Sequence, residues 1–159
     1  MKIYFAHPSF DELQRQFKKT FLDKITSELS KTRYNNDISI IDPFKYAPDV
    51  EGSLEIKLEM AEAIKAECIR LLSESDLIIA LTDGNDTGTA FEAGYAYAVN
   101  KPVILISRED CSTANAMLLG AAKAAVNNIL DDEQIARLIG LIKFFYGVWK
   151  ASRKNPQNN

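Results

Sequence analysis

Hydrophobic and polar positions along the chain follow two alternating patterns. Short aliphatic runs, of the kind that form buried strands, occur at 2–6, 37–41, 77–81, 103–107 and, more weakly, 125–129. Between them, apolar residues recur at helical spacing over 10–30, 53–73, 89–99, 113–123 and 132–150. Several of these stretches open on Ser, Thr or Asp, which favour the helix N-cap. Buried strands that alternate with helices are typical of a parallel sheet, so we predict an α/β protein.

The chain is long enough for one domain. Its 159 residues, of which 47% are hydrophobic, can bury a sizeable core without a metal or a disulfide. We predict a single domain over 1–150, built as a doubly wound, flavodoxin-like, five-stranded parallel sheet with helices on both faces. A polar tail over 151–159 is expected to be disordered.

Composition excludes several classes of function. The net charge of −3 comes from 19 basic and 22 acidic residues spread along the chain, so nucleic acid is not an expected partner. Cys68 and Cys111 are far apart and His7 is the only histidine, which predicts no metal site. No G-x-G-x-x-G or Walker motif occurs, so no cofactor is expected. Without a membrane-length apolar stretch or a signal-peptide pattern, we expect a cytoplasmic protein without membrane contact.

Candidate chemistry lies where the third strand meets the next helix. Ligands of doubly wound sheets bind outside the carboxyl ends of the strands, here after Ala6, Ile41 and Leu81. Glu92 follows the third of these and is the only charged residue from 87 to 100. The helix N-terminus is expected to favour its ionised form, which suits a nucleophile.

A structural alternative exists for this glutamate. Thr89-x-x-Glu92 matches a capping box, in which the Glu side chain bonds back to the amide of the cap residue. The preceding loop favours a functional role, because it carries Asp86 between Gly84 and Gly88, which permit close backbone approach.

The chain resembles the nucleoside 2-deoxyribosyltransferases. The likeness spans about 2–120 and rests on Ile3-Tyr4-Phe5-Ala6, on the segment from Asp86 to Gly94, and on Asn115-Ala116-Met117. It implies Glu92 as the nucleophile, Tyr4 as the residue that orients it, and Asp86 as a ligand of the sugar hydroxyls or the base. Ala6 and Gly88 would line the substrate site. Asn115 and Met117 would reach the 5′ end of the sugar, from a neighbouring subunit in similar enzymes.

The chain departs from the family pattern at two places. Cys68 stands where similar enzymes often carry an Asp or Asn that faces the nucleobase, so the proton donor to the leaving base stays open among Asp86, Asp42 and water. Glu67 is adjacent, but neighbouring helical positions point about 100° apart, so it does not simply substitute for Cys68. The tail also lacks the aromatic ending of some relatives.

The resemblance implies transfer of 2-deoxyribose between a 2′-deoxynucleoside and a free nucleobase by double displacement, as in nucleotide salvage, without a cofactor. Two alternatives remain open: a 2′-deoxynucleoside 5′-monophosphate N-glycosidase, and a non-catalytic nucleoside or nucleotide sensor. We also expect a homo-oligomer, because apolar residues crowd all sides of the last predicted helix between 138 and 149.

Overall fold

The computed structural model describes residues 1–46 and 52–154. Five parallel strands form one sheet in the order β2-β1-β3-β4-β5. The strands are β1 (Lys2–Ala6), β2 (Ser39–Ile41), β3 (Leu77–Leu81), β4 (Val103–Ile106) and β5 (Ala124–Val126). This is the strand order of flavodoxin, so the predicted doubly wound α/β sheet is confirmed.

Two strands are shorter than their aliphatic runs suggested. β2 begins only at Ser39, because the Asp37 amide closes a turn onto the Tyr34 carbonyl. β5 ends at Val126 rather than at 129, because Asn128 has a positive φ of 49° and its amide bonds to the Glu109 carbonyl. Turns that bend the backbone out of the ladder are not visible in hydrophobic periodicity.

Within the described residues, five α-helices connect or flank the strands. They are α1 (Glu12–Ser30), α2 (Leu54–Glu74), α3 (Thr87–Ala98), α4 (Ala116–Ala121) and α5 (Asp132–Lys154). α4 is shorter than predicted, because Cys111–Thr113 forms a separate 3₁₀ turn and Asn115 caps the helix after it. α5 continues to Lys154, four residues into the segment predicted as tail, and 155–159 lie outside the described residues. In the described part of the chain, no helix has the length and apolarity needed to cross a bilayer.

The sheet separates two hydrophobic cores. α1 and α5 cover one face, on which Ile3 and Phe5 of β1 are buried. α2 and α3 cover the other face, which receives Tyr4 and Ala6. Successive side chains of a strand point to opposite faces, so β1 serves both cores at once. Tyr4 is thereby directed into the layer that contains α3.

Candidate active site

Tyr4 and Glu92 meet beneath the carboxyl edge of the sheet. The Tyr4 hydroxyl donates a hydrogen bond of 2.5 Å to Oε1 of Glu92, although the two residues are 88 positions apart in the chain. Tyr4 is fully buried and Glu92 is partly buried. A hydrogen bond to a carboxylate is among the stronger ones in proteins, and this one fixes the direction in which the carboxyl group points.

The environment of Glu92 makes its carboxyl group a weaker acid. Burial raises its pKa from the ordinary 4.5 to about 7; the Tyr4 hydrogen bond opposes this shift, and the negative charge of Asp86 adds to it. The net shift therefore runs opposite to the ionised form that the helix N-terminus was expected to favour, because loss of water outweighs that effect. Burial and the charge of Glu92 raise the pKa of Tyr4 as well, so the phenol stays a hydrogen-bond donor.

The capping-box interpretation of Glu92 is wrong. α3 begins at Thr87, and its N-cap is Asp86, whose Oδ2 accepts a bond of 2.6 Å from the Thr89 amide. Thr89 is thus the third helical residue, and Glu92 lies in the second turn, too far along to bond to the cap. Helix initiation therefore does not explain why a partly buried glutamate occupies position 92.

A cavity of about 360 Å³ opens beside Glu92. It lies among the loop after β1, the loop after β2, α2 and the start of α3. It is lined by three of the residues proposed from sequence, namely Asp86, Gly88 and Glu92, and by His7 and Cys68. A Cβ atom at Gly88 would lie 3.2 Å from Oδ2 of Asp86, so glycine keeps the Asp86 carboxylate uncrowded.

The other proposed site residues lie outside this cavity in the single chain. Ala6 is fully buried at the end of β1 and is not among the lining residues. Asn115 caps α4, with its Oδ1 accepting a bond of 2.9 Å from the Met117 amide. Met117 is 84% exposed and lines a separate groove between α3 and α4.

The candidates for a proton donor have distinct surroundings. Burial and the charge of Glu92 raise the pKa of Cys68, which keeps its thiol neutral. Glu67 does not line the cavity; it is bound by Arg70 through contacts of 2.7 and 2.8 Å. Asp42 is 5% exposed, and although burial opposes it, hydrogen bonding and charge from His7 and Lys18 lower its pKa.

Sequence reasoning missed the cavity wall that α2 contributes. Lys57, Ala61, Ile64 and Lys65 line the cavity together with Cys68. Their spacing of three and four residues places them on one helical face, and reading that face backwards from Cys68 would have found them. Within the described residues, neither lysine forms an ion pair. In the same part of the chain, no group of three His, Cys, Asp or Glu side chains gathers as metal ligands would.

The sequence matches a family model along nearly its whole length. Residues 3–157 match the model described as nucleoside 2-deoxyribosyltransferase. A search among curated proteins finds no match.

Solved structures show the same fold. A 2-deoxyribosyltransferase from Bacillus psychrosaccharolyticus is similar with a TM-score of 0.59 and 25% identity, over 85% of this chain and 90% of that one. A conserved protein from Enterococcus faecalis V583 gives a TM-score of 0.58 and 21% identity, over 86% and 98%. The Clostridium botulinum CMP N-glycosidase BcmB gives 0.56 and 18%, over 89% and 99%.

Proposed function

The chain belongs to the nucleoside 2-deoxyribosyltransferase family, and from that premise we propose that it moves 2-deoxyribose between nucleobases through a covalent intermediate on Glu92. The observation that carries the proposal is the Glu92 carboxyl group, held by Tyr4 at the wall of the cavity. A fixed carboxylate beside a cavity at the ligand edge of a doubly wound sheet suits attack on an anomeric carbon.

The proposed reaction is a double displacement. An oxygen of the Glu92 carboxylate bonds to C1′ of a 2′-deoxynucleoside while the glycosidic C–N bond breaks, and the electron pair and a proton go to the departing base. A nitrogen of a second base then attacks C1′ and gives its proton back to the group that protonated the first base, which releases the carboxylate. Two inversions give net retention of configuration. No step requires a cofactor.

Tyr4 and Asp86 support this reaction in different ways. The Tyr4 bond occupies Oε1 of Glu92, so the carboxylate presents a defined orientation to the sugar. Asp86 uses Oδ2 to cap α3, and among the described residues Oδ1 accepts no hydrogen bond. That oxygen is available for a sugar hydroxyl or the base. Since the pKa of Asp42 is lowered, that of Cys68 is raised and Asp86 carries a negative charge, a water molecule is the better source of the proton.

A second candidate function has its own observation. Lys57 and Lys65 give the α2 wall two cationic groups that could hold a phosphate. An N-glycosidase that acts on 2′-deoxynucleoside 5′-monophosphates, and gives the glycosyl intermediate to water, would use the same Glu92. The similarity to a CMP N-glycosidase concerns the fold alone, so these lysines are what favours this candidate.

We further propose that the protein is a homo-oligomer whose subunits share sites. The apolar surface of α5 supports association less than the sequence suggested, because much of it is buried in the chain's own core. The buried side chains are Leu138, Ile139, Ile142 and Tyr146, and the exposed ones are Phe144 and Val148. A better candidate interface is the α3–α4 groove. Four exposed apolar side chains belong to those two helices: Phe91, Tyr97, Met117 and Leu119. Association there would bring Asn115 and Met117 towards a partner's cavity.

One set of incubations separates the candidates. The protein is incubated with deoxyinosine or thymidine, with and without adenine, and in parallel with 2′-deoxynucleoside 5′-monophosphates, and the products are separated by chromatography. A new deoxynucleoside that forms only with adenine supports transfer. Free base released from the monophosphate regardless of acceptor supports the N-glycosidase. Calorimetric binding without any base release would support a sensor and contradict both enzymes.

Glu92→Gln tests the assignment of the nucleophile. The amide matches the shape of the carboxylate but cannot form the glycosyl ester, so activity should fall by orders of magnitude. Glu67→Gln is the matched control, because Glu67 lies on α2 away from the cavity lining. A 2′-deoxy-2′-fluoro-arabinosyl nucleoside should trap the intermediate, and peptide mass analysis that places the sugar on another residue would refute the assignment.

A further inference from the structure

The single histidine of the chain is buried between two hydrogen-bond acceptors. The side chain of His7 has no solvent exposure. Its Nδ1 lies 2.9 Å from the carbonyl oxygen of Pro8, and its Nε2 lies 3.2 Å from Oδ1 of Asp42. A carbonyl oxygen accepts but never donates. A neutral imidazole carries one N–H and can therefore serve only one of these two partners.

The Asp42 carboxyl group does not supply the missing proton. Burial alone would raise its pKa, but His7, Lys18 and the Phe44 amide together lower it. Lys18 Nζ lies 3.4 Å from Oδ2, and the Phe44 amide donates to Oδ1 at 3.1 Å. Each oxygen of Asp42 thus faces a cation or an N–H group other than His7, so Asp42 is an ionised acceptor and the second proton resides on the ring of His7.

We propose that His7 is an imidazolium that donates to both Pro8 and Asp42, and that this ionised pair positions the aromatic wall of the substrate cavity; the role in substrate binding rests on the proposed function. His7 follows β1, and Asp42 follows β2, so the pair ties together the two loops at the ligand edge of the sheet. A positioning residue of this kind acts through its neighbours and not by touching the reacting atoms.

The wall held by the pair consists of three rings. The His7 ring centroid lies 5.2 Å from that of Phe44, and Phe10 packs edge-on against Phe44 at 5.9 Å. All three residues line the cavity. On its buried side His7 packs on Phe5, with centroids 4.3 Å apart. An aromatic wall suits a nucleobase, because every base presents a π-face for stacking.

Charged groups lie near His7 on four parts of the chain. Asp42 follows β2, and Lys18 of α1 pairs with it. Lys57 and Lys65 of α2, Asp86 before α3 and Glu92 on α3 line the same cavity as His7. Of these, Asp42 is the one bonded to the ring. The lysines oppose a second proton on His7 and the carboxylates favour it. The two direct hydrogen bonds determine the protonation of His7, because a buried acceptor that faces an unprotonated ring nitrogen loses its hydrogen bond, which costs free energy.

Removal of the ring N–H groups of His7 should break both bonds. The loops after β1 and β2 would then be held less firmly, and the three rings would lose their fixed arrangement. The expected result is a rise in KM for the nucleoside with little change in kcat, because Glu92 and Tyr4 are held by other contacts.

Nitrogen-15 NMR of the histidine-labelled protein tests the protonation state directly, and the single histidine makes the assignment unambiguous. At pH 7.5 an ordinary imidazole is mostly neutral. The proposal expects both ring nitrogens of His7 to carry protons at this pH. It also expects Asp42→Asn, which keeps the side-chain shape but removes the charge, to leave a single protonated nitrogen.

A neutral His7 in the wild-type protein at pH 7.5 would overturn the proposal, whether or not the substitution at Asp42 folds. Doubly protonated rings in both proteins would show that Asp42 is not the cause, which also overturns it. These spectra do not depend on catalysis, so they stand even if deoxyribosyl transfer is absent.

Kinetics test the positioning role. His7→Phe retains a ring against Phe44 but has no N–H groups. In transfer from deoxyinosine to adenine, it should raise KM several-fold at pH 7 with little change in kcat. An unchanged KM would refute the positioning role.

Discussion

Glu92→Gln should abolish activity and, at the same time, raise the free energy of unfolding of the protein. The folded protein holds the pKa of Glu92 at about 7, against 4.5 for an ordinary glutamate. The folded state therefore binds this proton more tightly than the unfolded state does. Above pH 7 both states are ionised and folding bears the full cost of burying the charge. Below pH 4.5 both are protonated and the cost vanishes.

The magnitude follows from the size of the shift. At about 1.4 kcal/mol for each pKa unit, the difference between 4.5 and about 7 corresponds to about 3 kcal/mol of destabilisation at pH 8. Glutamine does not ionise, and its oxygen can still accept the Tyr4 bond. The variant should thus exceed the wild type by up to about 3 kcal/mol at pH 8, and the gap should close as the pH falls towards 4.5.

Urea denaturation at pH 5, 6, 7 and 8 measures this gap, with protein concentration held fixed because association would add to stability. Glu67→Gln is the control, and its effect on stability should have the opposite sign. The bond to Arg70 lowers the pKa of Glu67, so loss of that bond should destabilise the protein near neutral pH and matter less in acid. A Glu92→Gln protein no more stable than the wild type at pH 8, or a gap that does not depend on pH, would refute the reasoning.

Substitutions at three positions have definite expectations. Tyr4→Phe removes a charge-assisted bond of about 1.5–3 kcal/mol, so the acidic limb of the kcat–pH profile should move up by about one to two pH units. Asp86→Ala removes the α3 cap and should cost about 1 kcal/mol in thermal unfolding, whereas Asp86→Asn should cost little. Cys68→Ala should keep turnover near the wild-type value by chromatographic assay, because a neutral thiol is a poor proton donor.

Hydrophobic periodicity was sufficient to predict the sheet, because each buried strand has a distinct aliphatic run and each crossover a helical one. It was insufficient wherever one polar side chain determined a boundary. Asp86 moves the start of α3 two residues earlier, and Asn115 confines α4 to six residues. Such caps depend on local hydrogen bonds that compete with one another, and the sequence pattern had indicated Thr89 as the cap and not Asp86.

The candidate site was likewise predictable in its residues but not in its environment. Tyr4, Asp86 and Glu92 were proposed from sequence, and the structure brings Tyr4 and Asp86 close to Glu92. The direction of the Glu92 pKa shift was not predictable, because it depends on how much water α2 and α3 exclude. The α2 wall and the His7–Asp42 pair were missed for a similar reason: they arise from packing between segments that are remote in the chain.

Because β1 contributes side chains to both cores, recovery of activity during refolding should report when the central strands have paired correctly. The Tyr4–Glu92 bond spans 88 positions, and it requires β1 to have paired with β3 in the correct register and α3 to have docked. A slip of one residue would turn Tyr4 towards α1 and α5. Parallel pairing at such separation is slow compared with helix formation. During refolding, recovery of activity will therefore lag behind recovery of helical content and follow the completion of the central strands.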